Sequence, residues 1–254
     1  MTVGKIFAAG RPALIGYLPA GFPTVEGGIE AITAMVDAGV DAVEVGFPYS
    51  DPVIDGPVIQ RATEAALAAG VRPADVLRTV ERVAALGVPA VVMTYWNPME
   101  RYGVARFARD LAAAGGAGLI TPDLIPDEAG EWIAASDEHG LDRIFLVSPS
   151  STEARVRSTT AACRGFVYAT ALMGVTGARD QVSSDAPALV ERVRAVTRTP
   201  VAVGLGVRDG AQAAAIGAFA DGVIVGSALV AALAEGGIAA VAALTADLAA
   251  GVRA

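Results

Sequence analysis

Short apolar runs rich in β-branched residues alternate with longer alanine-rich stretches of helical spacing along the whole chain. The runs at 14–20, 42–48, 89–96, 118–123, 143–149, 165–171, 200–206 and 222–226 read as strands. The amphipathic stretches at 24–39, 58–69, 72–86, 104–114, 126–139, 152–162, 186–197, 208–219 and 237–250 read as helices. Gly39, Gly70 and Gly140 suit helix C-termini, and Pro73 and Pro187 suit first turns. Eight strand–helix units in 254 residues predict an α/β fold, a (β/α)8 TIM barrel with a parallel eight-stranded core, formed as one domain over 1–254. The rival is a doubly wound open sheet. It calls for a glycine-rich phosphate turn after an early strand, and the first strand here ends in Leu18-Pro19-Ala20-Gly21.

Strands of a parallel sheet are covered on both faces and are apolar throughout. The run Asp41–Phe47 fits that description except for Glu44. An unpaired carboxylate is expensive to bury, so a buried Glu44 is either paired or held with a raised pKa because something uses it, the alternative being a helix turn or a solvent-facing side chain. Pro48 to Pro57 reads as a loop, and it carries a second carboxylate, Asp55.

In a barrel, function gathers at the C-terminal ends of the strands. Those ends supply Glu44 and Asp55 from the second unit, Tyr95 and Asn97 from the third, and Asp123 from the fourth. The sixth supplies Tyr168 and the loop Gly174-Val175-Thr176-Gly177-Ala178-Arg179, the seventh Gly204-Leu205-Gly206, and the eighth Gly226-Ser227. A Gly-x-Gly after strand seven and a Gly-Ser after strand eight, each opening toward a helix N-terminus, read as a phosphate site or as two tight turns.

Composition narrows the chemistry. A net charge of −8 argues against nucleic acid as the ligand, whereas a small phosphorylated substrate can be held by backbone N–H groups. The single lysine, Lys5, precedes the first strand, so no core strand offers an amine for a Schiff base. The single histidine, His139, sits in a helix C-terminal pattern, and neither a histidine triad nor a multi-histidine metal site is expected. One cysteine, Cys163, allows no internal disulfide and fits a cytoplasmic protein. The apolar runs are short and interrupted, and no leader pattern opens the chain, so neither a signal peptide nor a membrane span is expected. Acid–base work falls to carboxylates, tyrosine or water.

Taken together, Glu44-Val45-Gly46-Phe47-Pro48-Tyr49-Ser50-Asp51-Pro52, Asp55-Gly56-Pro57-Val58-Ile59-Gln60, Tyr95-Trp96-Asn97-Pro98, Pro122-Asp123-Leu124, Gly174-Val175-Thr176-Gly177 and Gly226-Ser227 resemble the tryptophan synthase alpha chain family, from about residue 12 to the C-terminus. The resemblance implies a lyase that cleaves indole-3-glycerol phosphate to indole and glyceraldehyde 3-phosphate in tryptophan biosynthesis. It implies that Glu44 is the acid–base group and that Asp55 stabilises charge at the indole N–H. Tyr168 and Tyr95 are then substrate contacts, and Gly177, Gly206, Gly226 and Ser227 hold the phosphate. Thr176 falls in a mobile loop, about 174–185, that closes over Asp55.

No cofactor is implied in this chain. Pyridoxal phosphate is expected in a partner beta chain, within an alpha2beta2 heterotetramer. A stand-alone indole-3-glycerol phosphate lyase and a non-catalytic activating subunit are the alternatives. Ile54, Ile125 and the short segment before the first strand depart from the family pattern and bear on partner fit.

Overall fold

In the computed structural model, which describes residues 2–170, 185–204 and 206–254, the strands are β1 Ala13–Pro19, β2 Ala42–Gly46, β3 Ala90–Met93, β4 Gly118–Ile120, β5 Asp142–Ile144, β6 Leu146–Val147, β7 Val167–Thr170, β8 Val201–Gly204 and β9 Gly222–Val225. All pair in parallel, in the order β5-β4-β3-β2-β1-β9-β8-β7-β6. β5 and β6 are two halves of one strand interrupted at Phe145. β5 pairs with β4 and β6 with β7, and the Phe145 carbonyl accepts the Tyr168 N–H at 3.1 Å, so the ring of eight closes there. This is the parallel α/β barrel that the periodicity predicts.

The helices follow as α1 Val25–Asp37, α2 Pro57–Ala68, α3 Pro73–Ala85, α4 Trp96–Tyr102, α5 Val104–Ala113, α6 Gly130–His139, α7 Glu153–Ala162, α8 Asp185–Arg194, α9 Gly210–Gly217 and α10 Ser227–Val252. The stretch expected as a helix over 126–139 is a short 3-10 turn, Pro126–Glu128, followed by α6. The helix expected at 237–250 starts ten residues earlier, at Ser227, and leaves helical geometry at Gly237, with φ 64° and ψ −160°. By length and composition α10 is apolar enough to cross a membrane. It is instead broken at Gly237, and it packs on β1, α1 and α9 with Leu229, Leu233, Val241 and Leu248 buried.

Two apolar layers hold the barrel. Outward residues such as Leu14, Leu18, Val43, Val45 and Val203 pack under the helices, while Ile15, Ala42, Val91, Ile120, Ile144, Phe166, Ala202 and Ile224 fill the barrel's interior. The period of two in each strand therefore sends Tyr17 and Glu44 inward, one step above Ile15 and Ala42.

The lower end is closed by a 3-10 helix, Val3–Ala9, that the sequence pattern did not reveal. Val3 is fully buried, its N–H donates to the buried Asp142 carboxylate at 2.7 Å, and Phe7 meets Phe166 edge-on at 5.8 Å. Asp142→Ala is expected to destabilise the chain by about 2–3 kcal/mol, because it strands a buried donor, a loss that urea denaturation would measure.

Candidate active site

At the C-terminal end of the barrel the interior turns from aliphatic to polar. Glu44 on β2 is 1% exposed, and its Oε2 has no hydrogen-bond partner among the described residues. Burial, and secondarily the negative charge of Asp55, pushes the Glu44 carboxyl up to about 8. Asp55 is 8% exposed, at the end of the loop that leads into α2. Burial raises its pKa too, while a hydrogen bond with the Tyr95 hydroxyl works in the opposite direction. Two carboxyls in one buried site are thus set apart by their surroundings: one has an oxygen without a partner among the described residues and a raised pKa, the other lies beside the Tyr95 hydroxyl.

The Asp55 loop is held in place from two sides. The Ile54 N–H donates to the Tyr95 hydroxyl at 3.1 Å, and the Gln60 amide donates to the Asp55 carbonyl at 2.7 Å. Tyr95 in turn stacks at a tilt on Tyr49, 5.4 Å between centroids, and Asn97 Nδ2 donates to the Tyr49 hydroxyl at 2.9 Å. Tyr95 lies in this support, and its own phenol is raised by burial and by Asp55.

Tyr168 on β7 is half-buried and faces the same interior. Its hydroxyl is held well above the ordinary phenol range by burial first, then by Glu44 and Asp55. A further tyrosine, Tyr17 on β1, was not singled out from the sequence. It lies beside Glu44 in the register of β1 and β2, and it is raised by burial and then by Asp55 and Glu44. Once the fold shows that Ile15 faces inward, the period of two places Tyr17 on the same face.

Each tyrosine needs a glycine on a neighbouring strand. A Cβ on Gly46 would come within 2.4 Å of the Tyr17 hydroxyl, and one on Gly204 within 2.4 Å of the Tyr168 hydroxyl. Gly46→Ala is expected to displace the buried Tyr17 and to destabilise the chain by about 1–3 kcal/mol, readable by chemical denaturation together with near-ultraviolet circular dichroism.

β8 and β9 are neighbours, with Gly204 paired to Ile224. Two residues beyond that pair come Gly206, which turns with φ 69°, and Gly226, which precedes the first residue of α10, Ser227. The first helical bond of α10 runs from the Val230 N–H to the Gly226 carbonyl, so the N–H groups of Ser227, Ala228 and Leu229 have no partner within the helix. Such a helix start accepts an anion.

Asp123, read from sequence as a mouth residue, does different work. Both its oxygens accept the Trp96 N–H, at 2.9 and 3.1 Å, and so cap α4. Thr176 and Gly177, with the loop 174–185 up to Ser184, lie outside the described residues. Cys163, at the C-terminal end of α7, is pushed up to about 12 by burial and is no nucleophile.

The chain matches the sequence model of a family described as "Tryptophan synthase alpha chain" over residues 4–250. A tryptophan synthase alpha chain from Salinispora arenicola is 68% identical, over 98% of this chain and 95% of its own length. One from Mycobacterium avium is 65% identical, over 99% and 94%. Among solved structures, a chain of Mycobacterium tuberculosis tryptophan synthase superposes with a TM-score of 0.95 at 63% identity, covering 99% of this chain and 98% of that one. A chain from a Pyrococcus furiosus tryptophan synthase complex superposes with a TM-score of 0.86 at 31% identity, covering 94% and 98%.

Proposed function

The chain belongs to the tryptophan synthase alpha chain family, and from that premise we propose that Glu44 and Asp55 divide the two tasks of its lyase reaction. The alpha reaction cleaves indole-3-glycerol phosphate to indole and glyceraldehyde 3-phosphate in tryptophan biosynthesis, and it uses no cofactor. The observation that carries the assignment is the buried Glu44 carboxyl, whose Oε2 has no partner among the described residues and whose pKa is near 8, beside a second carboxyl that the Tyr95 hydroxyl favours in its charged form.

A retro-aldol cleavage needs a place for the electrons of the breaking C–C bond. Glu44, protonated at neutral pH, donates its proton to C3 of the indole ring, and the ring becomes the electron sink. The Glu44 carboxylate then takes the proton of the glycerol hydroxyl next to the breaking bond. As that hydroxyl becomes the aldehyde, the bonding pair returns to the ring and indole leaves. The proton count is unchanged over the cycle, and Glu44 ends protonated. Asp55, ionised, accepts the indole N–H and offsets the positive charge that C3 protonation puts on the ring. Tyr168 and Tyr95 flank the reacting end, and Gly206, Gly226 and Ser227, with Gly177, hold the phosphate. The arrangement also explains how a chain with one lysine and one histidine manages the reaction: the substrate supplies its own sink.

The partner we propose is a beta chain carrying pyridoxal phosphate, in an alpha2beta2 heterotetramer that consumes the released indole. Two observations favour it: a relative of known structure is a tryptophan synthase complex, and Val53, 69% exposed, stands at the barrel mouth beside Ile54. The chain works as one domain, in the cytoplasm. The test is cleavage of indole-3-glycerol phosphate by the purified chain, alone and with a beta chain. Faster indole formation with the partner is expected, equal rates would identify a stand-alone lyase, and no cleavage in either case would leave only an activating subunit.

A further inference from the structure

The end of the barrel opposite Glu44 holds a cavity of about 370 Å³, bordered by the residues that enter β1, β8 and β9 and by the last turns of α8 and α9. Its volume falls in the range of small-molecule sites. Its lining is unusual for a chain of net charge −8, because it brings together three guanidinium groups, Arg11, Arg194 and Arg198, against one carboxylate, Asp221.

The carboxylates near these arginines are already engaged. Asp221 accepts Arg194 at 2.8 Å through one oxygen and the Val201 N–H at 2.8 Å through the other. Asp41 accepts Arg11 twice, at 3.0 and 2.6 Å, and also the Leu14 N–H at 2.8 Å. Both aspartates therefore anchor strand starts, and both hold an arginine at the rim of the cavity. Arg198 has no hydrogen-bond or ion-pair partner among the described residues. Arg11 also donates to the Pro12 carbonyl at 3.1 Å, yet two tethered guanidiniums and one free one on one lining still leave N–H donors for a planar or tetrahedral oxyanion. Phe7 and Phe219 supply apolar wall on the same lining.

We propose that this cavity is a binding site for a small oxyanion-bearing molecule, a carboxylate or a phosphate ester with a flat apolar body, held by Arg198 with Arg11 and Arg194 and packed on Phe7 and Phe219. The carbonyls at the ends of α8 and α9 oppose an anion and the rim is open to water, so affinity falls in about the millimolar range. The site lies at the far end of the barrel from the two catalytic carboxyls, and an occupant would rest on the 3-10 helix and on the entries of β8 and β9.

Titrating the intact chain with benzoate, while following backbone amides by NMR, tests this directly. Saturable shifts at Phe7, Arg198 and Phe219 are expected, with none from benzyl alcohol, which has the same ring and no charge. Inorganic phosphate tests the other oxyanion: competition with benzoate at the same amides supports a site for either group. Arg198→Glu is expected to weaken benzoate binding by about tenfold or more while leaving indole formation unchanged, since Arg198 is exposed and remote from Glu44. Shifts scattered over the surface, no saturation at these amides with either probe, or equal binding by Arg198→Glu would overturn the proposal.

Discussion

Glu44→Gln is expected to lower the turnover number for indole formation by about 10³-fold or more, with the barrel intact and the chain more stable than wild type at high pH. The amide keeps the volume of the side chain and matches the neutral form that burial already favours, yet it neither gives a proton to C3 nor takes one from the hydroxyl. The stability effect follows from proton linkage. The carboxyl titrates at 4.5 in the unfolded chain and at about 8 in the folded one. Between those values the folded chain holds a proton that the unfolded chain has lost, so wild-type stability is greatest below the unfolded pKa and declines as pH rises toward 8, by at most about 1.4 kcal/mol per unit. The glutamine variant has nothing to lose over that window. Urea denaturation at pH 5 and at pH 8 would show the variant gaining on wild type, and an indole assay would show the lost rate. Wild-type kcat/KM itself should fall on the alkaline side as Glu44 ionises near pH 8. More than a tenth of wild-type activity in the variant would rule Glu44 out as the acid–base group.

What could be read from the chain beforehand depended on whether a feature left a local trace. Glu44 was legible because an acid inside an otherwise apolar strand contradicts its surroundings, and Asp55 because it follows within a breaker-rich loop. The barrel was legible because alternation persists over eight units. Tyr17 left no such trace: an aromatic in a buried strand is ordinary, and its role depends on contact with Gly46, far along the sequence. Asp123 was placed at the mouth by its position after a strand, and only the fold reveals that it spends both oxygens on the Trp96 N–H. The helix it caps, α4, was missed because it is seven residues long and contains Pro98. Proline is tolerated there, in the first turn, where no intrahelical N–H bond is required. The first ten residues of α10 lie outside the helix expected at 237–250, because Gly236-Gly237 interrupts the helical pattern. In the fold that pair breaks the helix without ending it.

Asp55→Asn should reduce the turnover number by about 10²–10³-fold while KM stays within about threefold, because the lost interaction forms with charge that exists only once C3 is protonated. Asparagine still presents an oxygen to the indole N–H in the ground state but brings no negative charge to the protonated ring. The substitution also reports on the coupling of the two carboxyls. Asp55 is the second cause of the raised pKa of Glu44, after burial. Removing its charge lets the Glu44 pKa fall from about 8, though burial still holds it above 4.5. The alkaline limb of the residual activity should therefore move to lower pH than in wild type. A rate loss with an unmoved limb would mean that Asp55 acts on the substrate alone. A change confined to KM would remove it from the chemistry and leave it a binding residue, and the charge-stabilising role would then have to be sought among Tyr17 and Tyr168, which feel the Glu44 charge, and Tyr95, which lies beside Asp55.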